Sequence, residues 1–137
     1  MPLVSQTPVR VRYADTDKMG VAHHAAHIVW LETGRTEFCR AAGFSYAEVE
    51  ADGVALPVVE AVCRYRAPAR FEDDLVVLTR LKDLRKKRIE FAYRVQRSSD
   101  GALVSEGETL HIPVDREGNA CAVPEKYYER LTKTLEE

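Results

Sequence analysis

Cysteine is scarce in this chain, and what there is does not pair. Cys39, Cys63 and Cys121 are the only three among 137 residues. Odd in number, widely spaced and without a C-x-x-C, they make neither a disulfide framework nor a thiolate zinc site. Long apolar runs are missing too. The longest, Val54 to Val59, contains Pro57 and falls far short of the ~20 residues that cross a bilayer. The N-terminal MPLVSQTPVRVRY has no apolar segment of the kind a secretory signal needs. Nor is there a surplus of one charge, since 20 Lys and Arg against 22 Asp and Glu leave −2. General attraction to nucleic acid or anionic membrane requires excess positive charge, so neither is an expected partner. With 45% hydrophobic and 31% charged residues the chain is not disordered. The expectation is one cytoplasmic domain over residues 1–137, a length that suits a single core.

What is present reads as one helix against one sheet. Val9-Arg-Val-Arg-Tyr13 alternates apolar and basic with period two and predicts a first strand. From about His24 to Ala42 the period becomes helical, with Ile28, Leu31, Phe38 and Ala42 on one side. Gly34 interrupts that helix at a cost of ~1 kcal/mol relative to alanine, which points to close packing against another element. Gly43 stops it, and a short helix is expected over Tyr46 to Asp52. Thereafter the period returns to two. Val59, Ala61, Cys63 and Tyr65 share one strand face, Leu75 to Leu84 form the next strand, and Ile89, Phe91, Tyr93 and Val95 a third. Ser98-Ser-Asp-Gly101 turns the chain into a last strand ended by Pro113, and a terminal helix begins near Pro124. Strand, long helix, then four successive antiparallel strands is an α+β layer arrangement. A single open sheet leaves its edges unpaired, so edge-to-edge dimerisation is expected.

The densest chemistry lies between Tyr13 and His27. Asp15, Asp17, Tyr13, His23, His24 and His27 fall at a strand end and a helix start. A helix N-terminus presents free N–H groups and a partial positive charge, which suit the oxyanion formed when a carbonyl is attacked. A carboxylate nearby can attack directly or activate water. These parts fit hydrolysis of an activated acyl group. Plainer roles stand beside this one: Asp15-Thr-Asp17 also suits a turn and helix cap, and Tyr13 a core residue with a satisfied hydroxyl. His23, His27 and Asp17 could share a metal, but there is no H-E-x-x-H and no evident third neutral ligand, so no metal is expected.

Tyr13-x-Asp15-Thr-Asp17-x-x-Gly20-Val-x-x-His24, followed by Trp30-Leu-Glu32-x-x-Arg35-Thr-Glu37, resembles the signature of the YbgC-like acyl-CoA thioesterases. These are grouped with the 4-hydroxybenzoyl-CoA thioesterases of the hot-dog fold. Tyr65-Arg-Ala-Pro68-Ala-Arg70-Phe-Glu-Asp73-Asp74-Leu75 is a second matching stretch, and the likeness runs from about Val9 to Pro124. It implies a long central helix wrapped by a curved antiparallel sheet of five to six strands. It implies hydrolysis of acyl-CoA, with Asp17 as nucleophile or general base and the His24 N–H polarising the thioester carbonyl. Tyr13 would support the aspartate, and Asp15 would be structural. His23 and His27 depart from the family pattern, where tyrosine is frequent, and Lys18-Met19 replaces a smaller pair. These departures alter the acyl pocket.

Coenzyme A carries several negative charges and needs local cations. Arg85-Lys86-Lys87-Arg88 gathers four between two strands, where related thioesterases place phosphate contacts, often on a neighbouring subunit. A solvated hairpin tip is the plainer role of that run. Arg70 is expected to pair with Asp73 or Asp74. Coenzyme A is part of the substrate, so no cofactor is expected. The expected assembly is a homo-oligomer, a dimer at least and a homotetramer beyond it. A non-hydrolytic acyl-CoA or acyl-carrier-protein binding module of the same fold is the rival reading; it would keep the basic turn but need no Asp17.

Overall fold

The computed structural model of the chain describes residues 1–136, so the last residue of the expected domain lies outside it. Five strands form one antiparallel sheet: β1 (Ser5–Arg10), β2 (Val58–Tyr65), β3 (Asp74–Arg85), β4 (Arg88–Arg97) and β5 (Leu103–His111). Three helices accompany it, α1 (His24–Ala41), α2 (Tyr46–Ala51) and α3 (Glu125–Glu136). The sheet order is β1-β3-β4-β5-β2. The α+β arrangement is as expected, but the four later strands are not neighbours in sequence order. β3, β4 and β5 form consecutive hairpins, whereas β2 pairs with β5 at the far edge. Pro68 ends β2, and residues 66–73 then carry the chain across the end of the sheet, tied there by Ala22 N–H to the Ala69 carbonyl (2.8 Å) and by Arg97 to the Pro68 carbonyl (2.8 Å).

The first strand also begins earlier than its alternation suggests. Ser5 to Arg10 pair with Asp74 to Thr79, but Arg12 N–H is taken by the Asp15 carboxylate (2.8 Å), which turns Tyr13–Asp15 into a single 3-10 turn. Tyr13 therefore leaves the sheet.

α1 lies across the sheet and contacts β1, β2, β3 and β4. Its buried face is Ala26, His27, Trp30, Leu31, Gly34, Arg35, Phe38 and Cys39. Leu31 and Phe38 are buried as expected, but Ile28 is 38% exposed and the inward stripe passes through His27 and Arg35 instead. Phe38 meets Phe91 edge to face at 5.6 Å, over a floor of Val77, Ile89 and Val95. Gly34 sits against β3: a Cβ there would come within 2.5 Å of Thr79 Oγ1 and 2.6 Å of Val77 Cγ1. A polar chain crosses this core. Tyr93 hydroxyl meets Thr109 Oγ1 (2.5 Å), Thr109 meets His111 Nε2 (2.9 Å) and His111 Nδ1 meets the Leu56 carbonyl (3.0 Å). Since a carbonyl only accepts, His111 carries its proton on Nδ1, and every member of the chain is satisfied with a neutral ring.

The other sheet face is charged. Arg64 binds Glu108 through two nitrogens (2.8 and 3.2 Å) and Arg66 binds Glu106 (3.0 Å). Val62 and Cys63 of β2 are half-buried, but other apolar residues of the strand find no cover within the chain. Val58, Val59 and Tyr65 are 41%, 54% and 48% exposed, beside Val29 of α1 at 48%. Cys39, Cys63 and Cys121 are free thiols. No helix of the described residues is long and apolar enough to cross a membrane.

Candidate active site

The loop between β1 and α1 is built by two aspartates with different surroundings. Asp15 is 3% exposed and accepts hydrogen bonds from Arg12 N–H (2.8 Å) and the Arg12 guanidinium (2.9 Å). Burial pushes its carboxyl up, but the Arg12 hydrogen bonds and charge outweigh that and hold it below the ordinary 3.8. It is a structural residue. Asp17 is exposed, and only one of its oxygens is engaged: Oδ1 accepts from Met19 N–H (2.8 Å) and Val21 N–H (3.4 Å). Oδ2 makes no hydrogen bond among the described residues, which leaves it available to a reacting group. Gly20, at φ +78°, allows the tight return between these contacts.

Asp17 lines a cleft of about 680 Å³ with Tyr13, Thr16, Lys18, Gly20 and Phe71. Tyr13 is 79% exposed, stacks edge to face on Phe71 at 5.7 Å, and makes no hydrogen bond to Asp17. His24 opens α1 and lines a separate, shallow surface depression of about 330 Å³ with Ala22, His27, Tyr65, Arg66, Ala67 and Pro68. The loop that joins the two is pinned to the β2–β3 connection by the Val21–Arg70 bridge. Tyr13 and Asp17 are thus brought together, while His24 faces a neighbouring space.

His23, one residue before the helix, is its N-cap: the imidazole accepts from Ala26 N–H (3.2 Å), and His23 N–H donates to the Asp15 carbonyl (2.9 Å). The first-turn N–H groups of His24 and Ala25 have no such partner among the described residues. That is the arrangement a developing oxyanion requires. His27 turns inward instead, with Nδ1 on Ser105 Oγ (2.9 Å). His23, His27 and Asp17 therefore serve three different partners, and among the described residues no three His, Cys, Asp or Glu gather closely enough to share an ion.

Arg85, Lys86, Lys87 and Arg88 form the exposed β3–β4 turn. Arg85 approaches Asp83 (3.5 Å) and Arg88 approaches Glu90 (4.0 Å), while Lys86 and Lys87 make no ion pair among the described residues. The turn lies at the opposite end of β3 from Asp74, which at ~3.3 Å per residue is on the order of 35 Å away. The helix start and the basic turn are not brought together within one chain. Arg70 differs from expectation: Asp73 accepts its backbone N–H (2.9 Å) and pairs with Arg97 (3.6 Å), while Asp74 pairs with Arg10 (2.8 Å). Asp73 thus closes its own turn, and the guanidinium of Arg70 is left out.

The capping role of His23 and the residue Ser105 emerge only from the structure. The capping role of His23 was signalled by its position before a helical period, but a histidine cap is uncommon and the pattern points first to Asp or Ser. The partner of His27, Ser105, is 78 residues away and no local pattern joins them.

A model of the thioesterase-like superfamily matches residues 11–131. YneP of Bacillus subtilis is 36% identical over 114 residues, 83% of this chain and 82% of that protein. The acyl-CoA thioester hydrolase YbgC of Escherichia coli is 37% identical over 108 residues, 79% of this chain and 80% of that one. Among solved structures, the hypothetical protein TT1821 of Thermus thermophilus superposes with a TM-score of 0.90 at 43% identity, over 96% of this chain and 98% of that chain. In sequence and in its hot-dog fold, the chain belongs to the thioesterase-like superfamily.

Proposed function

We propose that this protein hydrolyses acyl-CoA thioesters to a free acid and coenzyme A, with Asp17 as the reacting carboxylate. The observation that carries this reading is the helix start. An exposed carboxylate with one unengaged oxygen precedes, by a single bridged turn, a helix whose first residue, His24, lines a surface depression and whose first N–H groups are unpaired among the described residues. The activity in YbgC's name supports it. The thioester carbonyl oxygen sits on the His24 N–H, which stabilises negative charge as the carbonyl carbon is attacked. Asp17 either attacks that carbon itself, expelling the thiolate and leaving an anhydride for water to cleave, or takes a proton from the water that attacks. Tyr13 flanks the carboxylate and Phe71 closes that wall of the cleft. Neither route needs a cofactor or a metal from this chain.

Two chains make the working unit in this reading. β2 is the unguarded edge of the sheet: the opposite edge, β1, carries Pro8, which has no N–H to offer, and Arg10. β2 presents open backbone together with exposed Val58, Val59 and Tyr65. A two-fold pairing of β2 with a second β2 is antiparallel, so the Tyr65 end of one chain meets the Val58 end of the other. The Val58 end is also the end of the basic turn, because Val58 and Ile89 both pair with His111. The pairing therefore carries Arg85, Lys86, Lys87 and Arg88 of one chain toward the helix start of its partner, where the phosphates of coenzyme A need them. Stacking of two such dimers gives the homotetramer.

Release of free thiol from short, long and aromatic acyl-CoA thioesters tests this. Turnover of at least one class is expected. Tight binding of all with release from none would favour the non-hydrolytic module.

A further inference from the structure

His27 is a buried histidine with one ring nitrogen engaged and one open. It is 3% exposed, wedged between Trp30 (ring centroids 4.6 Å apart) and Tyr65 (4.8 Å, perpendicular). Nδ1 is anchored on Ser105 Oγ at 2.9 Å, and Ser105 is itself fully buried on β5. Nε2 has no hydrogen-bond partner among the described residues. The sealed-off polar atoms without partners lie elsewhere, at Ser5, Arg35, Tyr46 and Thr79, so Nε2 is not enclosed by protein. His27 lines the same shallow depression as His24. Burial, and then the neighbouring His23 and His24, hold its pKa down from 6.5 to about 4, so the ring is neutral near pH 7.

A neutral imidazole fixed on both flanks and at Nδ1 has a definite aim. His24 and His27 are three residues apart on one helix face, about 5–6 Å between Cβ atoms. A carbonyl oxygen held at the His24 N–H would leave the next carbons of the acyl group within reach of the His27 ring. If Ser105 donates to Nδ1, Nε2 carries the proton and donates; if Ser105 accepts, Nε2 accepts. A hydroxyl can answer either tautomer, since it both donates and accepts. A plain methylene answers neither, and leaves Nε2 desolvated without a partner when the acyl group covers it.

From this geometry we infer that His27 is a specificity-determining residue that selects acyl groups bearing a hydroxyl on the carbon β to the thioester carbonyl. The inference rests on the hydrolase reading above and adds to it the substrate class and the residue that recognises it. Ser105 is a positioning residue, acting through the ring it holds.

The matched pair 3-hydroxybutyryl-CoA and butyryl-CoA tests it, with kcat/KM for each measured on the full-length protein and on His27→Phe, His27→Gln and Ser105→Ala. The wild type should prefer the hydroxylated substrate by roughly five- to tenfold, the worth of one well-placed hydrogen bond. The ratio should fall to about one in His27→Phe, survive in part in His27→Gln, whose amide reaches the same point, and weaken in Ser105→Ala. Equal kcat/KM for the pair in the wild type overturns the inference whatever the variants do, and so does an unchanged ratio in His27→Phe or, should that protein not fold, in Ser105→Ala. If the wild type released no thiol from any thioester, the hydrolase reading would fail by itself. Calorimetric dissociation constants for the same pair would then decide on His27: a hydroxyl-dependent gain lost in His27→Phe upholds it, and equal constants reject it.

Discussion

Asp15 and Asp17 stand two residues apart and meet different fates, because one is enclosed by its own chain and the other is not. Asp15→Asn gives up the charged bridge to Arg12 and weakens the turn that frees Tyr13 from the sheet. We expect a loss of about 1–3 kcal/mol, read as a lower urea midpoint at unchanged slope. The buried histidines make a prediction of the same scale. His27 and His111 are both held near 4 by burial, against 6.5 when unfolded. Between those values the unfolded chain binds more protons than the folded one, so acid favours unfolding. Stability should be level above about pH 6.5 and decline toward pH 4, by up to about 1.4 kcal/mol per pH unit for each histidine. Urea midpoints that stay constant from pH 7 to pH 4.5 would contradict it. At this scale the sequence was legible where chemistry is local. The Asp-x-Asp spacing, Gly20 and the helix start all fall within a dozen residues. It was illegible where partners are distant, as with His27 and Ser105 or Asp74 and Arg10.

Elements were legible for a different reason. The period-two pattern of β4 and the helical period of α1 each record a face that the chain itself buries; β4 appeared as expected and α1 in its extent, though its buried stripe runs through His27 and Arg35 rather than Ile28. β2 misled because Val58, Val59 and Tyr65 face no cover within the chain, and its partner strand is set by a crossover that no periodicity encodes. The first strand misled because a side chain, Asp15, takes the N–H that pairing would have used. Gly34 was a legible exception: an interrupted helix with a physical need behind it. Gly34→Ala drives a methyl into Val77 and Thr79, and we expect a net destabilisation of about 1–3 kcal/mol despite the better helix propensity of alanine. Gly107→Ala should cost more. Its Cβ would collide with the Val62 carbonyl, backbone that cannot move without parting β2 from β5. Thermal melts of the two variants rank them, and a Gly107→Ala protein more stable than Gly34→Ala would refute the packing described here.

For the whole molecule, the basic turn and the helix start lie at opposite ends of one protomer, and the proposed two-fold pairing of β2 edges would unite them. That arrangement has a consequence for mixed assemblies. Co-expressing Asp17→Asn with a chain in which Arg85, Lys86, Lys87 and Arg88 are all alanine should restore about a quarter of wild-type activity at low acyl-CoA. Half the dimers are then mixed, and each mixed dimer has one site of two with both parts intact. No restoration would place both parts in one chain. The proposed hydrolysis rests on Asp17, and free-thiol release by Asp17→Asn at saturating acyl-CoA tests it most directly. A loss of about a hundred- to ten-thousandfold in kcat, with acyl-CoA still bound, is the predicted result; full activity in that variant would contradict the account at its centre.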